Sequence, residues 1–458
     1  MTSPQPTPTH PTPTHPTAAL STAARSAATL SAAERRELVL RAAVREGLLD
    51  RDDALLAAFV DLDGVAASVT ALHRAFPAEV DVLHAFAAKA NCLVPVLARL
   101  RELGMGCEVA SPGELAQALA AGFEADRIVL DSPAKTRREL AQALELGVAV
   151  NIDNWQELDR VDELLRAGES RSRIGVRVNP QVGAGTIGAM STATATSKFG
   201  IPLADDGNAE RLLAAFRERP WLTWIHVHVG SQGCPLDLMA EGVGQAVAFA
   251  EKLNGELGRR QVVGIDIGGG LPVNFADERT DPTFSAYVER LRAHAPALFG
   301  GDYRVVTEFG RSLLAKNGFT AAYVEYAKES GGRRIAVTHA GAQVATRTVF
   351  MPDSWPLRIT AHHPSGAAKD GPTVPQDVAG PCCFAGDLLA KARPLPPLES
   401  GDLVALLDTG SYYATTHFSY NSLPEPAVHG FTVADDGGVR FELLRPAQSI
   451  DQLLRPVR

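Results

Sequence analysis

The chain has 458 residues, with 44 Lys+Arg against 53 Asp+Glu and a formal net charge of −9; 45% of it is hydrophobic and 21% charged. This is globular composition with material for a large core, and its acidic balance argues against nucleic acid as a partner. No apolar run of about 18 residues offers a membrane span, so no membrane partner is expected. Five cysteines, Cys92, Cys107, Cys234, Cys382 and Cys383, are too few for a disulfide framework in so long a chain and point to a reducing cytoplasm.

The first seventeen residues, MTSPQPTPTHPTPTHPT, hold six Pro and six Thr. Such a segment buries too little apolar surface to offset its chain entropy, and residues 1–30 are expected to form a disordered tail. Ser31 followed by Glu34 reads as a capping box opening a helix. Residues 31–78 are expected to contribute to a β domain. From about residue 79 to 335, short β-rich runs alternate with amphipathic segments. Strands are expected at Val82–Ala87, Cys107–Ala110, Arg127–Leu130, Val148–Ile152, Gly175–Asn179, Thr223–Val229, Val263–Ile267 and Val305–Glu308. Eight strand–helix units over roughly 230 residues fit a (β/α)8, TIM-like barrel. After residue 335, Pro, Gly and short apolar runs imply a C-terminal, mostly β domain over 336–458, so the fold class is α/β plus β.

A barrel carries its chemistry at the C-terminal ends of its strands. Lys89 ends the first strand, where a partly desolvated amine of lowered pKa can form a Schiff base with an aldehyde; a solvated surface lysine is the plain alternative. His226 and His228 point to one side of their strand. They suit a metal if a carboxylate joins them, although no acidic cluster is evident; packing, or stacking of an imidazole on a planar cofactor, is the other use. Gly268, Gly269 and Gly270 expose backbone N–H groups as an anion nest requires, and Ser231 can add a hydroxyl. Glu308 can bond a protonated pyridine nitrogen, with Arg311 facing a phosphate or carboxylate.

The motifs FAAKAN, SKFGI, HVHVGSQ, DIGGGLP, EFGR, GPCCFAGD and DTGSYYA stand in this order between residues 86 and 414. In this series the chain resembles the pyridoxal-phosphate decarboxylases of alanine-racemase-like fold, the group of the diaminopimelate, ornithine and arginine decarboxylases, and the diaminopimelate branch above all. The resemblance implies pyridoxal 5'-phosphate as cofactor, with Lys89 carrying it, His228 stacked on its ring and Glu308 at the ring nitrogen. It implies a phosphate cradle of Ser231, Gly268, Gly269, Gly270 and Arg311 with Tyr412 beside it, adjacent Tyr413 leaving that register open. Glu108 and Lys198 match positions at the barrel mouth, and Arg177 matches more loosely. Cys383 matches the proton donor that a second subunit supplies, so a homodimer with shared sites is implied.

Two departures shape the substrate expectation. Phe384 stands where these enzymes carry an acid for the distal amine, and a phenyl ring offers an ammonium only a cation–π contact. Arg347 matches loosely the arginine for a distal carboxylate, yet Met351 stands where a tyrosine is expected four residues on. The motif EFGR also carries Phe309 where proline is usual. Meso-diaminopimelate and ornithine are therefore both disfavoured, and the expected substrate is an amino acid, free or carrier-bound, with an apolar or differently charged distal end. A racemase or epimerase on the same fold and a non-catalytic, regulatory relative are the alternatives.

Overall fold

The computed structural model describes residues 30–455; the expected disordered tail, but for Leu30, lies outside the described residues. The capping box forms: the Ser31 hydroxyl accepts the Glu34 amide N–H, the Glu34 carboxylate accepts that of Ser31, and helix α1 (Ala32–Arg45) follows. Next come strand β1 (Leu56–Asp61) and helix α2 (Leu62–Ala75). Helix α2 turns Leu62, Val65, Val69 and Leu72 into the barrel's core, so the segment 31–78 serves both domains.

The barrel strands are β2 (Val82–Ala87), β3 (Gly106–Val109), β4 (Ile128–Asp131), β5 (Ala149–Ile152), β6 (Ile174–Asn179), β8 (Leu222–His226), β9 (Gly264–Asp266) and β10 (Arg304–Thr307), with a two-residue β7 (Ile201–Pro202) beside β6. They pair in parallel in the order β5-β4-β3-β2-β10-β9-β8-β6, and β5 also pairs with β6, closing the barrel. Each of the eight expected strands has its counterpart. The sixth stops at His226 because the chain beyond turns to the 190–193 loop, whose Thr192 and Ala193 amides donate to the Val229 carbonyl.

The interior is layered by strand periodicity. Ala85, Val129, Ala149, Trp224 and Val306 form an apolar layer. Two residues further along their strands come Asp131, His226 and Glu308, all buried. A side chain at Gly264 would overlap the Trp224 indole, so a glycine there makes room for the plug beneath the polar layer.

The second domain is a sheet in the order β15-β14-β12-β11-β1-β17-β18, comprising β11 (Gly318–Ser330), β12 (Arg333–Thr338), β14 (Val374–Ala379), β15 (Leu388–Leu395), β17 (Ala427–Val433) and β18 (Val439–Arg445) with β1. Strands β13 (Ile359–His362) and β16 (Leu403–Leu407) join it through β11. The chain leaves the barrel earlier than residue 335: β11 already pairs with β1. The change in composition lags the change of domain because β11 is itself an apolar, β-rich run. Among the described residues no helix is long and apolar enough to cross a membrane.

Burial makes a pH prediction. Desolvation, with His73 adding its charge, pushes the His84 imidazole down to about 3, and burial pushes His362 down to about 4. A histidine kept neutral costs nothing above its ordinary 6.5. Below that the unfolded chain binds a proton that the folded chain refuses, so stability falls as pH falls. Thermal unfolding should therefore show Tm declining from pH 6.5 toward 4, and His84→Asn should flatten the dependence by up to about 1.4 kcal/mol per pH unit. An unchanged slope would refute the assignment to His84.

Candidate active site

Lys89 lies in the helical turn Ala88–Ala90 directly after β2. Its amine is 2.6 Å from Glu108 Oε2 on β3; the glutamate side chain is sealed, while that of Lys89 is 42% exposed toward the mouth. Burial alone would lower the amine, but the charges of Glu108 and Glu308 outweigh it and hold Lys89 above its ordinary range. This corrects the expectation of a lowered pKa. Burial pushes the Glu108 carboxyl up to about 7 against the pull of Lys89.

The 408–416 segment of the β domain is stitched to this turn. The Tyr412 amide donates to the Ala90 carbonyl (2.7 Å), Thr415 Oγ1 to the Lys89 carbonyl (3.0 Å) and Asn91 Nδ2 to the Gly410 carbonyl (3.2 Å). FAAKAN and DTGSYYA, more than 300 residues apart, thus form one wall. The open register between the tyrosines resolves: Tyr412 faces the arginines described below, whereas the Tyr413 ring packs against the β-domain core.

Across the mouth stand Glu308, His226 and His228. Glu308 is buried, its Oε1 without a hydrogen-bond partner. Burial first, then the charges of Asp266, Glu108 and Asp131, raises its carboxyl well above the usual range. His228 Nδ1 accepts the Gly269 amide N–H (3.2 Å), and burial plus the charge of Arg177 holds this imidazole far below its ordinary value. It is therefore neutral, with its proton on Nε2. The ligand atoms of His226, His228 and Glu308 lie within 4.8 Å of one another, so a carboxylate does join the two histidines, contrary to the reading that none would. Glu308 follows β10, far from the histidines in the chain, and only barrel closure brings them together.

The glycine loop and two arginines make an anion site. Side chains at Gly269 and Gly270 would overlap the backbone carbonyls of Glu308 and Gly230. Arg311 and Arg347 both lie against the faces of Tyr412 (4.3 and 4.6 Å) and Trp355 (4.7 and 5.1 Å). Arg311 Nε and Arg347 Nη1 are buried with no hydrogen-bond partner, and among the described residues neither guanidinium is paired with a carboxylate. Burial, with Arg347 as a neighbouring charge, lowers Arg311. Two uncompensated guanidinium groups beside an open glycine loop suit a dianion such as a phosphate monoester. With Lys89 for the aldehyde, Glu308 for the ring nitrogen and His228 for the ring face, the donor set fits pyridoxal phosphate.

Other expected residues lie apart. Lys198 is exposed, its amine 4.9 Å from the Phe199 ring, and has no hydrogen bond or ion pair among the described residues. Arg177 points inward to Asp131 (2.9 Å) and stacks on the same Phe199 (4.4 Å). Cys383 is exposed in the β domain, its amide donating to Asn421 Oδ1 (2.8 Å). Asp387 folds this loop by accepting the amides of Cys382 and Ala342. Ser231 donates its amide to the Met190 carbonyl. Trp355 and Asp131 escaped sequence reasoning, and Asp266, which opens the motif DIGGGLP, was given no role: a lone Trp in a Pro-rich stretch carries no motif, and Asp131 ends an ordinary strand pattern.

Residues 62–315 match the family model of the pyridoxal-dependent decarboxylases, pyridoxal binding domain. The chain is 31% identical to the diaminopimelate decarboxylase of Zymomonas mobilis, covering 81% of this chain and 85% of that one. It is 35% identical to that of Pseudomonas fluorescens, covering 79% and 83%. The crystal structure of Helicobacter pylori diaminopimelate decarboxylase complexed with L-lysine superposes with a TM-score of 0.78 at 25% identity, over 90% of this chain and 99% of that one. These relatives overturn the expectation that diaminopimelate is disfavoured. The Phe384 ring is stacked on Phe350 (5.6 Å) and set edge-on to Tyr420 (5.7 Å), so its aromatic type also serves packing on its own β domain. With the family model across more than half of its length, this chain belongs to the pyridoxal-dependent decarboxylases, carbon–carbon lyases that use pyridoxal 5'-phosphate to release the α-carboxylate of an amino acid.

Proposed function

We propose that this enzyme decarboxylates diaminopimelate to lysine. The observation that carries the reading is Arg347, a guanidinium with a buried, unpartnered Nη1 beside the phosphate site. Diaminopimelate presents a second α-amino carboxylate at its far end, and a free arginine suits that group. The identity to diaminopimelate decarboxylases over four-fifths of the chain supports the same substrate.

Arg311, Ser231 and the amides of Gly268–Gly270 hold the phosphate, and Tyr412 flanks them. His228, neutral, covers the ring face. Lys89 would hold the cofactor's aldehyde carbon, and its amine, when free, would stand ready to carry a proton at Cα. Glu108 keeps that amine oriented. Pyridoxal phosphate, when bound, supplies the electron sink for the pair left as CO2 departs, and Glu308 holds the proton on its ring nitrogen. The product needs one proton at Cα, which the partner subunit's Cys383 or Lys89 delivers.

Sharing of sites requires a homodimer. Exposed Cys383 adjoins an apolar patch of Phe350 (54% exposed), Met351 (45%) and Tyr420 (41%), which a second copy would cover. The five unpaired cysteines suit a cytoplasmic enzyme. With Cys383 as the proton donor, Cys383→Ala and Lys89→Ala are each inactive alone, and mixing them should restore about a quarter of wild-type activity, since half of the dimers are mixed and each of those holds one intact site. No recovery, with sedimentation showing monomers, would exclude shared sites.

Lysine and CO2 formation from meso-diaminopimelate by the cofactor-loaded enzyme is the direct test; turnover of another amino acid but not this one would defeat the assignment. Arg347→Gln should raise KM for diaminopimelate about 10- to 100-fold with a smaller change in kcat, the scale of a lost charge-assisted hydrogen bond. An unchanged KM would place the distal carboxylate elsewhere.

A further inference from the structure

Arg311 and Arg347 reach one spot from different domains. Arg311 opens the short helix after β10, and Arg347 lies on the helix Ala342–Phe350 of the β domain. Arg311 is buried and Arg347 half-buried, and the charge of each repels the other. Two desolvated cations side by side cost free energy unless something of opposite sign faces them. Among the described residues that something is not a carboxylate.

What faces them is a pair of aromatic rings. The Arg311 guanidinium carbon is 4.3 Å from the centre of the Tyr412 ring and 4.7 Å from that of Trp355, and for Arg347 the distances are 4.6 and 5.1 Å. The negative face of a ring attracts a guanidinium, that of an indole most strongly, and it takes up none of the lone-pair bonds that the N–H donors can make. A carboxylate partner would engage those donors two at a time; a ring leaves them for an incoming anion. Both rings are fixed. Tyr412 is tied to Ala90, as described above. Trp355 is buried, its amide donates to the Met351 carbonyl (3.0 Å), and its ring meets that of Phe275 edge-on at 6.4 Å. Phe275 follows shortly after Gly270, so the indole is packed against the chain leaving the glycine loop.

We infer that Trp355 is a positioning residue: with Tyr412 it holds the two guanidinium groups side by side, Arg311 for the cofactor's phosphate and Arg347 for the substrate's distal carboxylate, and its ring face offsets their charge while their donors stay available. One indole then serves cofactor and substrate together. The inference rests on the phosphate site for Arg311 and on the diaminopimelate reading for Arg347.

The test changes the charge of the ring face and hardly its size. Fluorine draws electron density out of an indole, so tryptophans carrying one, two and three fluorines, placed at position 355 by amber suppression, weaken the negative face stepwise. Pyridoxal phosphate is titrated into each cofactor-stripped protein and Kd is read by equilibrium dialysis. Kd should climb along the series to about tenfold, the scale of one desolvated cation–π contact. Trp355→Phe, which keeps a ring, should cost about threefold or less, and Trp355→Leu, which keeps only an apolar side chain, about tenfold or more. With meso-diaminopimelate, KM should climb along the same series while kcat stays within about threefold. A Kd that is flat or falls along the series would overturn the inference, because a tryptophan that only packs is indifferent to its ring charge. Should Trp355→Leu not fold, the fluorinated series decides alone. Arg311→Gln separates the underlying reading: if it leaves Kd unchanged, Arg311 does not hold the phosphate and the inference falls with that site, whereas a raised Kd beside a flat series refutes Trp355 alone. Kd is read without turnover, so an enzyme that ignores diaminopimelate overturns the Arg347 half and leaves the Arg311 half standing.

Discussion

Lys89→Ala is expected to reduce decarboxylation at least about a thousandfold, because one side chain supplies both the covalent hold on the aldehyde and a proton carrier at Cα. Its absorbance signature should vanish with it: the visible band of lysine-bound cofactor is absent, whereas equilibrium dialysis still detects phosphate-held cofactor. The protein should stay folded. Removing the ammonium leaves Glu108 sealed without its counter-ion, and the carboxyl responds by taking up a proton. Its pKa, about 7 beside Lys89, moves further up, so at neutral pH no buried charge is stranded. Lys89→Arg should not rescue, since a guanidinium is protonated at any working pH and is no nucleophile. Activity within tenfold of wild type in Lys89→Ala would refute the assignment.

Gly270→Ala is expected to cost both fold and cofactor. The residue sits at φ +90°, which side chains avoid, and a methyl there would run into the Gly230 carbonyl oxygen. The atoms it would meet are backbone, so relief requires the 230–231 and 268–270 loops to part, and these loops form the proposed phosphate cradle. Strain and overlap of about 2–4 kcal/mol would lower Tm by roughly 5–10 °C in a domain of this size. Cofactor affinity should weaken by about 100-fold as amide donors leave the phosphate. Gly258→Ala is the control: φ is +64° there, but nothing lies within 4 Å of the added methyl. It should lose only the cost of the left-handed conformation, about 1–2 kcal/mol, with cofactor affinity unchanged. Equal effects at the two positions would mean that backbone strain and not the cradle is at work.

The barrel was readable from the chain because each of its strands obeys a local rule. Strand-period apolar runs alternate with helix-period ones, and chemistry-bearing residues stand where those runs end. Lys89, Glu308, Arg311 and the glycines announce themselves through neighbours one to three residues away. Ser31 with Glu34 signals a helix start for the same reason: both partners lie within one turn.

What the chain alone withheld depends on distance. Whether Tyr412 or Tyr413 lies against Arg311 and Arg347 is fixed by the hydrogen bond from Tyr412 to Ala90, across more than 300 residues. The rise in the Lys89 pKa, where a fall was expected, comes from Glu108 and Glu308, which only a closed barrel brings to the amine. The domain boundary near residue 318 is set by the pairing of β11 with β1, not by composition. Phe384 read alone suggested an apolar substrate; its stacking on Phe350 gives the ring another task. Sequence periodicity determined which elements form and which strand ends carry chemistry, because those choices are made by covalent neighbours. Protonation states, the companions of each charge and the carboxylate between the two histidines were decided by tertiary structure alone, because electrostatic and packing energies depend on distance in space, and no local pattern encodes it.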